Sequence, residues 1–425
     1  MGGDCSRLLL AQWKVVISVG CIVFLFIAGQ QTVLGAGYQI PNQSTRAVGI
    51  AGATIAFGEG PDVSYYNPAN MSFLDDVGML ETSMTLLNLP SVEYTDNRSP
   101  LLNGSSETEM FYLPIAHFTS TDYHNFRFGF SLIYPYGLAK RWEQPYPAAT
   151  AGEFSLDVIE FNPTFSYKIA ETFSLGGGVR FIYADGEVSN GASGLSRDQD
   201  GDDTQVGYNL AATFRPVKNW RLAATYRSEV NLNLEGDATL LASVDGMQAF
   251  AYTGSGDLDV TLPAVFSLAT SYTIRMFTLE VAWNRTFWSA VENFDFQYDQ
   301  SFLGTPFDGF DRPLAKNWDD SDALRFGLTW QILDSLEATL GFAIDETPVG
   351  EQNLGFELPD SDSYMYSAGI RYDFTERFGL GISYMYHHTT TRSVSNDAVA
   401  GIPGIDGKFK EGGAHALNIG AVWRF

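Results

Sequence analysis

From Val77 to the C-terminus the chain alternates apolar and polar side chains with a period of two, in runs that return again and again. That period sends successive side chains to opposite faces of a β-strand. Clear runs are Phe126, Phe128, Phe130, Leu132 and Tyr134; Phe173, Leu175, Val179, Phe181 and Tyr183; Leu324, Phe326, Leu328, Trp330 and Ile332; and Phe378, Leu380, Ile382, Tyr384 and Tyr386. Between these apolar positions stand Arg127, Gly129, Ser131, Asn162, Ser166, Arg180, Arg325, Thr329 and Ser383. Apolar outside and polar or small inside is the pattern of a lipid-embedded barrel. A soluble sandwich also alternates, but its strands usually run about five or six residues, and several of these runs exceed ten.

The connections alternate between tight turns, such as Ala170-Glu171-Thr172, Leu333-Asp334-Ser335 and Thr375-Glu376, and long polar loops. Short periplasmic turns and long external loops belong to the same class. The rhythm places strand starts near Val77, Glu109, Asn125, Glu153, Phe173, Thr204, Asn219, Asp257, Met276, Trp318, Ser335, Asp362, Glu376 and Gly413. The expectation is an all-β transmembrane barrel of 14 antiparallel strands, with both ends periplasmic. Pro114 is expected to break the second strand, and the ninth to run on past Trp288. Leu417, Ile419, Ala421, Trp423 and the terminal Phe425 share one face of the last strand. An aromatic terminus of this kind resembles the signal read by the barrel-assembly machinery.

Export follows from the first 35 residues, where Arg7 and Lys14 precede an apolar run from Val15 to Ala28 and small residues at Gly35 and Ala36. This reads as a signal peptide cut before Ala36; the run is short of the about 20 residues of a membrane-spanning helix. Both cysteines, Cys5 and Cys21, fall in that leader, so disulfides and cysteine-metal sites are not expected beyond it. Loss of Asp4, Arg7 and Lys14 removes a net +1 and turns the formal charge of −25 into −26. Such an excess of acid argues against nucleic acid as a partner. The division is 1–35 signal peptide, 36–76 hatch and 77–425 barrel.

The segment 36–76 lacks strand alternation and is rich in Gly, Ala and small polar residues. It is too small to fold alone, and its composition suits close packing inside a barrel lumen. Asn67-Pro68-Ala69 reads as a helix start, with Asn as N-cap and Pro at the first helical position.

On three features the chain resembles the FadL family of hydrophobic-substrate channels: the start Ala36-Gly37-Tyr38-Gln39, the stretch Gly49-Ile50-Ala51-Gly52-Ala53, and Tyr66-Asn67-Pro68-Ala69 ahead of the first strand. The resemblance implies an N-terminal hatch carrying Gly37, Tyr38, Gly49, Gly52, Tyr66, Asn67, Pro68 and Ala69. It implies passive uptake of long-chain fatty acids or hydrocarbons, capture in an external apolar groove, and sideways release where the third strand is kinked. Pro135, Tyr136 and Gly137 are the candidate opening, since Pro cannot donate to the ladder and Gly weakens it; the same residues would equally end a strand at an external loop. Leu138, Trp142, Phe250 and Tyr252 are candidates for the capture groove, or for packing among the loops. Asn70 stands where the family commonly has Gly.

None of the family's carboxylate-binding basic residues is carried over to this chain, and inward Arg180, Arg221, Arg227, Arg325 and Arg371 stand as candidates for that role or as lumen ion-pair partners. Asp198, Asp200, Asp202 and Asp203 around Gly201 are read as a solvated acidic loop, because an EF-hand's glycine and distal glutamate are missing. No cofactor or metal is expected. Neither G-x-S-x-G nor H-E-x-x-H occurs around His117, His124, His387, His388 or His415, so an outer-membrane lipid hydrolase is the weaker alternative and a general porin the stronger one. The expected setting is a monomer in the bacterial outer membrane, among its lipids and lipopolysaccharide.

Overall fold

The computed structural model describes residues 37–192, 194–245, 247–397 and 404–425. The proposed signal peptide, 1–35, lies outside them, as does Ala36. Fourteen strands close into one antiparallel barrel: β1 (Met79–Leu89), β2 (Glu109–Thr119), β3 (Phe126–Arg141), β4 (Glu153–Ala170), β5 (Phe173–Ala192), β6 (Leu195–Val217) and β7 (Trp220–Arg227). The circuit continues through β8 (Val265–Ile274), β9 (Phe277–Thr286), β10 (Ser321–Leu333), β11 (Leu336–Asp345), β12 (Ser363–Thr375), β13 (Phe378–Thr389) and β14 (Gly413–Arg424). Closure comes where β14 pairs with β1, from Met79↔Arg424 to Asn88↔His415, so the sheet has no free end strand. Phe161, Phe181, Tyr208, Leu340, Ile382 and Ile419 point outward and exposed, while Arg127, Arg180, Asn162, Ser166 and Asn418 point inward and are buried.

The structure corrects four local readings. The eighth barrel strand begins at Val265, because Asp257–Leu262 belongs to an external hairpin formed by Val230–Val244 and Met247–Leu262, separated from β8 by Pro263. The acidic residues Asp198 to Asp203 are not a loop: β6 starts at Leu195 and pairs through them with β5, with Asp198 opposite Ser189 and Asp202 opposite Asp185. Alternation there spreads Asp198, Asp200 and Asp202 along one exposed face of a strand instead of closing them round an ion, and no metal-holding group occurs among the described residues. Strand β9 stops at Thr286, with Trp288 in a buried 3-10 turn. Pro114 does not break β2, which is continuous on its β1 side, with Pro114 opposite Met84.

Residues 37–74 lie inside the barrel as α1 (Thr45–Gly49), α2 (Val63–Tyr66) and a 3-10 turn, Pro68–Phe73. Ser44 caps α1 by accepting from the Ala47 amide at 3.0 Å. Asn67 accepts from the Ala69 amide at 3.1 Å and donates to Ile55 O at 2.8 Å and Thr213 Oγ1 at 2.9 Å. Asn70 is bound between the carbonyls of Ile55 and Ala56 and the Thr213 hydroxyl, which gives this departure from the family pattern a structural role. Glycines in the wall make the fit possible: a Cβ on Gly176 would stand 2.5 Å from the Ala69 nitrogen, and one on Gly341 would collide with the Ile50–Ala51 backbone.

Lumen charges tie wall strands to one another and, through Arg46, tie the hatch to the wall. Glu160 accepts from Arg180 at 3.0 Å and also from Arg227; Arg325 meets Asp345 at 2.7 Å, Arg371 meets Glu337 at 3.5 Å, and Arg46 of α1 reaches Glu280 of β9. Gly341→Val should unseat Ile50 while leaving the barrel closed. The purified variant is then expected to keep its heat-modifiable gel mobility but to conduct small ions in a planar bilayer where the parent does not. Equal conductance would mean that the hatch does not rest on Gly341.

Candidate functional site

The wall is unevenly paired at one seam. Strands β2 and β3 share four register pairs, from Ala116↔Leu132 to Thr119↔Gly129. Contact resumes only near the external end, where the Glu107 amide donates to Arg141 O at 2.9 Å and Ser106 bridges to Trp142. Between these limits is a window. Its cause is readable in the ladder: the Ser120 amide donates to Phe128 O, so by the two-residue alternation the even-numbered amides of β2 face β3, and Pro114 has no N–H to offer there.

The opposite edge is bent away. Strand β3 has a bulge against β4 between Ile133 and Tyr136, where Tyr134 and Pro135 take the place of one residue. A bulge inverts which side chains face inward beyond it. Before it, Arg127, Gly129, Ser131 and Ile133 face the lumen; after it, Tyr136, Leu138 and Lys140 do, registered opposite the inward-facing Val158, Leu156 and Phe154. The edge that β2 abandons is taken up by the hatch: the Ile40 amide donates to Pro135 O at 2.9 Å, the Gly137 amide to Tyr38 O at 3.0 Å, and Gln43 is bound to both backbone groups of Tyr134.

Behind the window lies a cavity of about 200 Å³. Its wall is mostly apolar, with Ile40, Leu87, Phe111, Leu113, Leu138 and Met385 prominent, and its floor and roof include Gly37–Asn42 and Leu358–Asp360. Lys140 lines it, is buried, and makes no ion pair among the described residues. The five arginines considered from sequence are elsewhere: Arg180, Arg227, Arg325 and Arg371 are ion-paired, and Arg221 lies over the Phe57 ring at 4.7 Å.

The hatch N-terminus is fastened above the cavity. Tyr38 packs edge-on against Trp288 at 4.7 Å, beside Trp318 and Tyr136, and its hydroxyl donates to Thr261 O. The Gly37 amide donates to Asp360 Oδ2 at 3.2 Å, which also accepts from Thr347 at 2.7 Å. Burial pushes the Asp360 carboxyl up to about 6, against the opposing pull of the Thr347 and Gly37 hydrogen bonds and of Arg392.

Of the groove candidates, Leu138 lines the cavity. Trp142 is buried, donating to Phe356 O at 2.9 Å in the apolar core under the external loops. Tyr252 is buried in a separate cluster with Phe302 and Phe307, and Phe250 is exposed on the same hairpin strand. The four therefore form no single surface. Lys140 and Asp360 were not singled out from sequence, and Pro114 was marked only as a strand break; a proline on each of two consecutive strands was the available sign. The one Ser–His hydrogen bond among the described residues, Ser131 to His117 at 2.9 Å, is buried beneath the hatch, with the other imidazole nitrogen on Gln43 O, and nothing in it is accessible as a nucleophile.

The Gly37 amide favours the ionised carboxylate and burial opposes it; burial prevails, so the folded pKa of Asp360 lies above the ordinary carboxyl value near 3.9. The group's contribution to the folded arrangement of loops and hatch N-terminus is full below about pH 4 and is lost as pH rises through about 6. Hydrogen-exchange protection at Tyr38–Gln43, corrected for intrinsic rates, is expected to fall between pH 5 and 7.5. Asp360→Asn should flatten that change; an unaltered profile in the variant would remove Asp360 from the latch.

A family model described as "Outer membrane protein transport protein (OMPP1/FadL/TodX)" matches residues 25–425. The long-chain fatty acid transport protein of Escherichia coli (strain K12) is 24% identical over 401 residues, 83% of this chain and 88% of that protein. A Pseudomonas aeruginosa FadL homologue superposes with a TM-score of 0.80 at 18% identity, over 91% of this chain and 99% of the other. The Pseudomonas putida toluene transporter TodX gives 0.68 at 15%, over 92% and 99%. With the closed barrel, the filled lumen and this match over nearly the whole length, the chain belongs to the FadL/TodX family of outer-membrane transport proteins.

Proposed function

We propose that this protein takes up carboxylate-bearing amphiphiles, long-chain fatty acids in the first place, through the cavity behind the β2–β3 window, and releases them sideways into the outer membrane after export and cleavage of residues 1–35. The observation that carries this reading is Lys140. A buried ammonium with no carboxylate in direct contact, Glu109 acting on it only from a distance, is costly. A channel for hydrocarbons alone would gain nothing from that cost, whereas a fatty acid supplies the missing carboxylate and lays its chain along Leu87, Leu113 and Met385. Each methylene moved from water to such surface is worth about 0.8 kcal/mol, so the tail supplies affinity and the lysine selects the headgroup.

In this reading Pro135, Tyr136 and Gly137 form the exit, and the hatch residues 38–40, hydrogen-bonded to its β3 edge, form the gate. A ligand that displaced Tyr38 and Ile40 from Pro135 and Gly137 would widen the path toward lipid. The porin alternative has less support, because residues 37–74 occupy the lumen and their Arg46 and Asn67 are tied to the wall.

Charge-assisted hydrogen bonds contribute about 1.5–3 kcal/mol, which corresponds to a loss of roughly 10- to 100-fold. Lys140→Gln is therefore expected to weaken oleate binding by that factor and to slow labelled oleate uptake in cells lacking their own hydrophobic channel, with toluene uptake unchanged. Equal loss of both substrates would mean a packing role for Lys140, and unchanged oleate uptake would remove the fatty-acid reading.

A further inference from the structure

The outward faces of β13 and β14 carry a second chemistry that transport does not use. Phe378, Leu380, Ile382, Tyr384, Tyr386 and His388 point outward from β13, and His415, Leu417, Ile419, Ala421 and Trp423 from β14. Phe378 and Trp423, with ring centroids 5.5 Å apart, mark the periplasmic girdle. Eight residues separate Trp423 from His415. At about 3.3 Å per residue and a tilt of about 40° that is about 20 Å along the membrane normal, so His415 stands at the outer edge of the apolar band, level with lipid headgroups.

At that level tyrosines orient two histidines. Tyr384 Oη lies 2.7 Å from His415 Nδ1, and Tyr386 Oη lies 3.2 Å from His388 Nδ1. The Tyr386 ring stacks on His415 at 5.0 Å and 21°. With the hydroxyls donating to Nδ1, each imidazole keeps its proton on Nε2. Tyr386, His388 and His415 line a pocket of about 540 Å³ that also takes in Lys410, Thr389, Thr390 and Thr391. Lys410 is exposed and stands in register with Glu93, yet makes no ion pair among the described residues. Glu411 is the one carboxylate in the lining. A pocket so rich in donors is unusual in a chain with 50 Asp and Glu against 25 Lys and Arg. The rim pocket at the periplasmic end has the opposite character, with Asp334, Asp373 and Glu376 beside a single Arg424.

We propose that the β13–β14 pocket binds a phosphate group of an outer-leaflet glycolipid, with its acyl chains lying down the wall over Tyr384, Ile382 and Ile419. Phosphate offers acceptors alone, which matches the Nε2–H groups, the Lys410 ammonium and the threonine hydroxyls. Basic pockets at the headgroup level of a membrane protein recognise lipid phosphates in this way. The ligand is attached to the leaflet that this rim faces, so the site fixes the barrel's depth and annulus independently of cargo.

The test uses the full barrel, purified in non-ionic detergent and titrated with bis-phosphorylated lipid A, with the same glycolipid stripped of phosphate, and with inorganic phosphate, followed by native mass spectrometry. One retained equivalent of the phosphorylated glycolipid is expected, at least ten-fold tighter than the stripped one. The triple variant His388→Gln, Lys410→Gln, His415→Gln should lose that preference while keeping heat-modifiable mobility and oleate uptake. Three results overturn the proposal: equal binding of the stripped glycolipid to the parent protein, an unchanged preference in the triple variant, or saturation of the pocket by inorganic phosphate at the same concentration.

Discussion

The bulge at Tyr134–Pro135 determines what this barrel wall can do. Up to Tyr134 the third strand sends phenylalanine, leucine and tyrosine to the lipid. Two residues set against one of β4 invert the faces, and the next three even-numbered side chains, Tyr136, Leu138 and Lys140, turn inward. Without the inversion Lys140 would point out of the wall at the lipid interface. With it, a lysine enters the lumen at the place where the neighbouring strand has let go.

Two prolines keep that place unpaired. Pro114 offers no amide toward β3, and Pro135 offers none toward β2. The hydrogen bonds that the wall would have made are supplied by the hatch, whose Tyr38, Ile40 and Gln43 attach to the β3 edge. Plug and window therefore share one set of contacts: the segment that fills the lumen also satisfies the exposed edge. The cost of leaving backbone polar groups unpaired in a dry setting gives the closed arrangement its stability. The lumen ion pairs carry a different load: Glu160 with Arg180 and Arg227 ties wall strands to one another, and Glu280 with Arg46 ties the wall to the hatch core.

Much of the architecture was legible because a membrane barrel must repeat a period of two in every strand. Twelve of the fourteen strand starts fall within three residues of those read from alternation. The two larger misses, at Asp257 and Thr204, have a common cause: where β-structure continues above the membrane, alternation no longer reports lipid against lumen. Acidic Asp198 to Asp203 looked like loop because nothing apolar faces outward there. The site was less legible. Pro135, Tyr136 and Gly137 were marked, but a bulge leaves no signature in the alternation except a change of phase, and nothing in the pattern therefore turned Lys140 toward the lumen. Trp142 and Tyr252 were visible as aromatic groups outside the barrel strands, but whether such a ring forms a groove or the core of a loop layer depends on partners such as Phe356 and Phe302 that lie far away in sequence.

The central claim is that cargo passes through the gap between β2 and β3. From Ala36 on the sequence contains no cysteine, so a pair placed at Leu113 and Leu138, on opposite edges of the gap, can be bridged selectively by a reducible bis-thiosulfonate. Uptake of labelled oleate into proteoliposomes holding the bridged barrel is expected to fall to background and to return on reduction. Transport at the parent rate with the bridge in place would contradict a lateral path and send the cargo down the lumen instead.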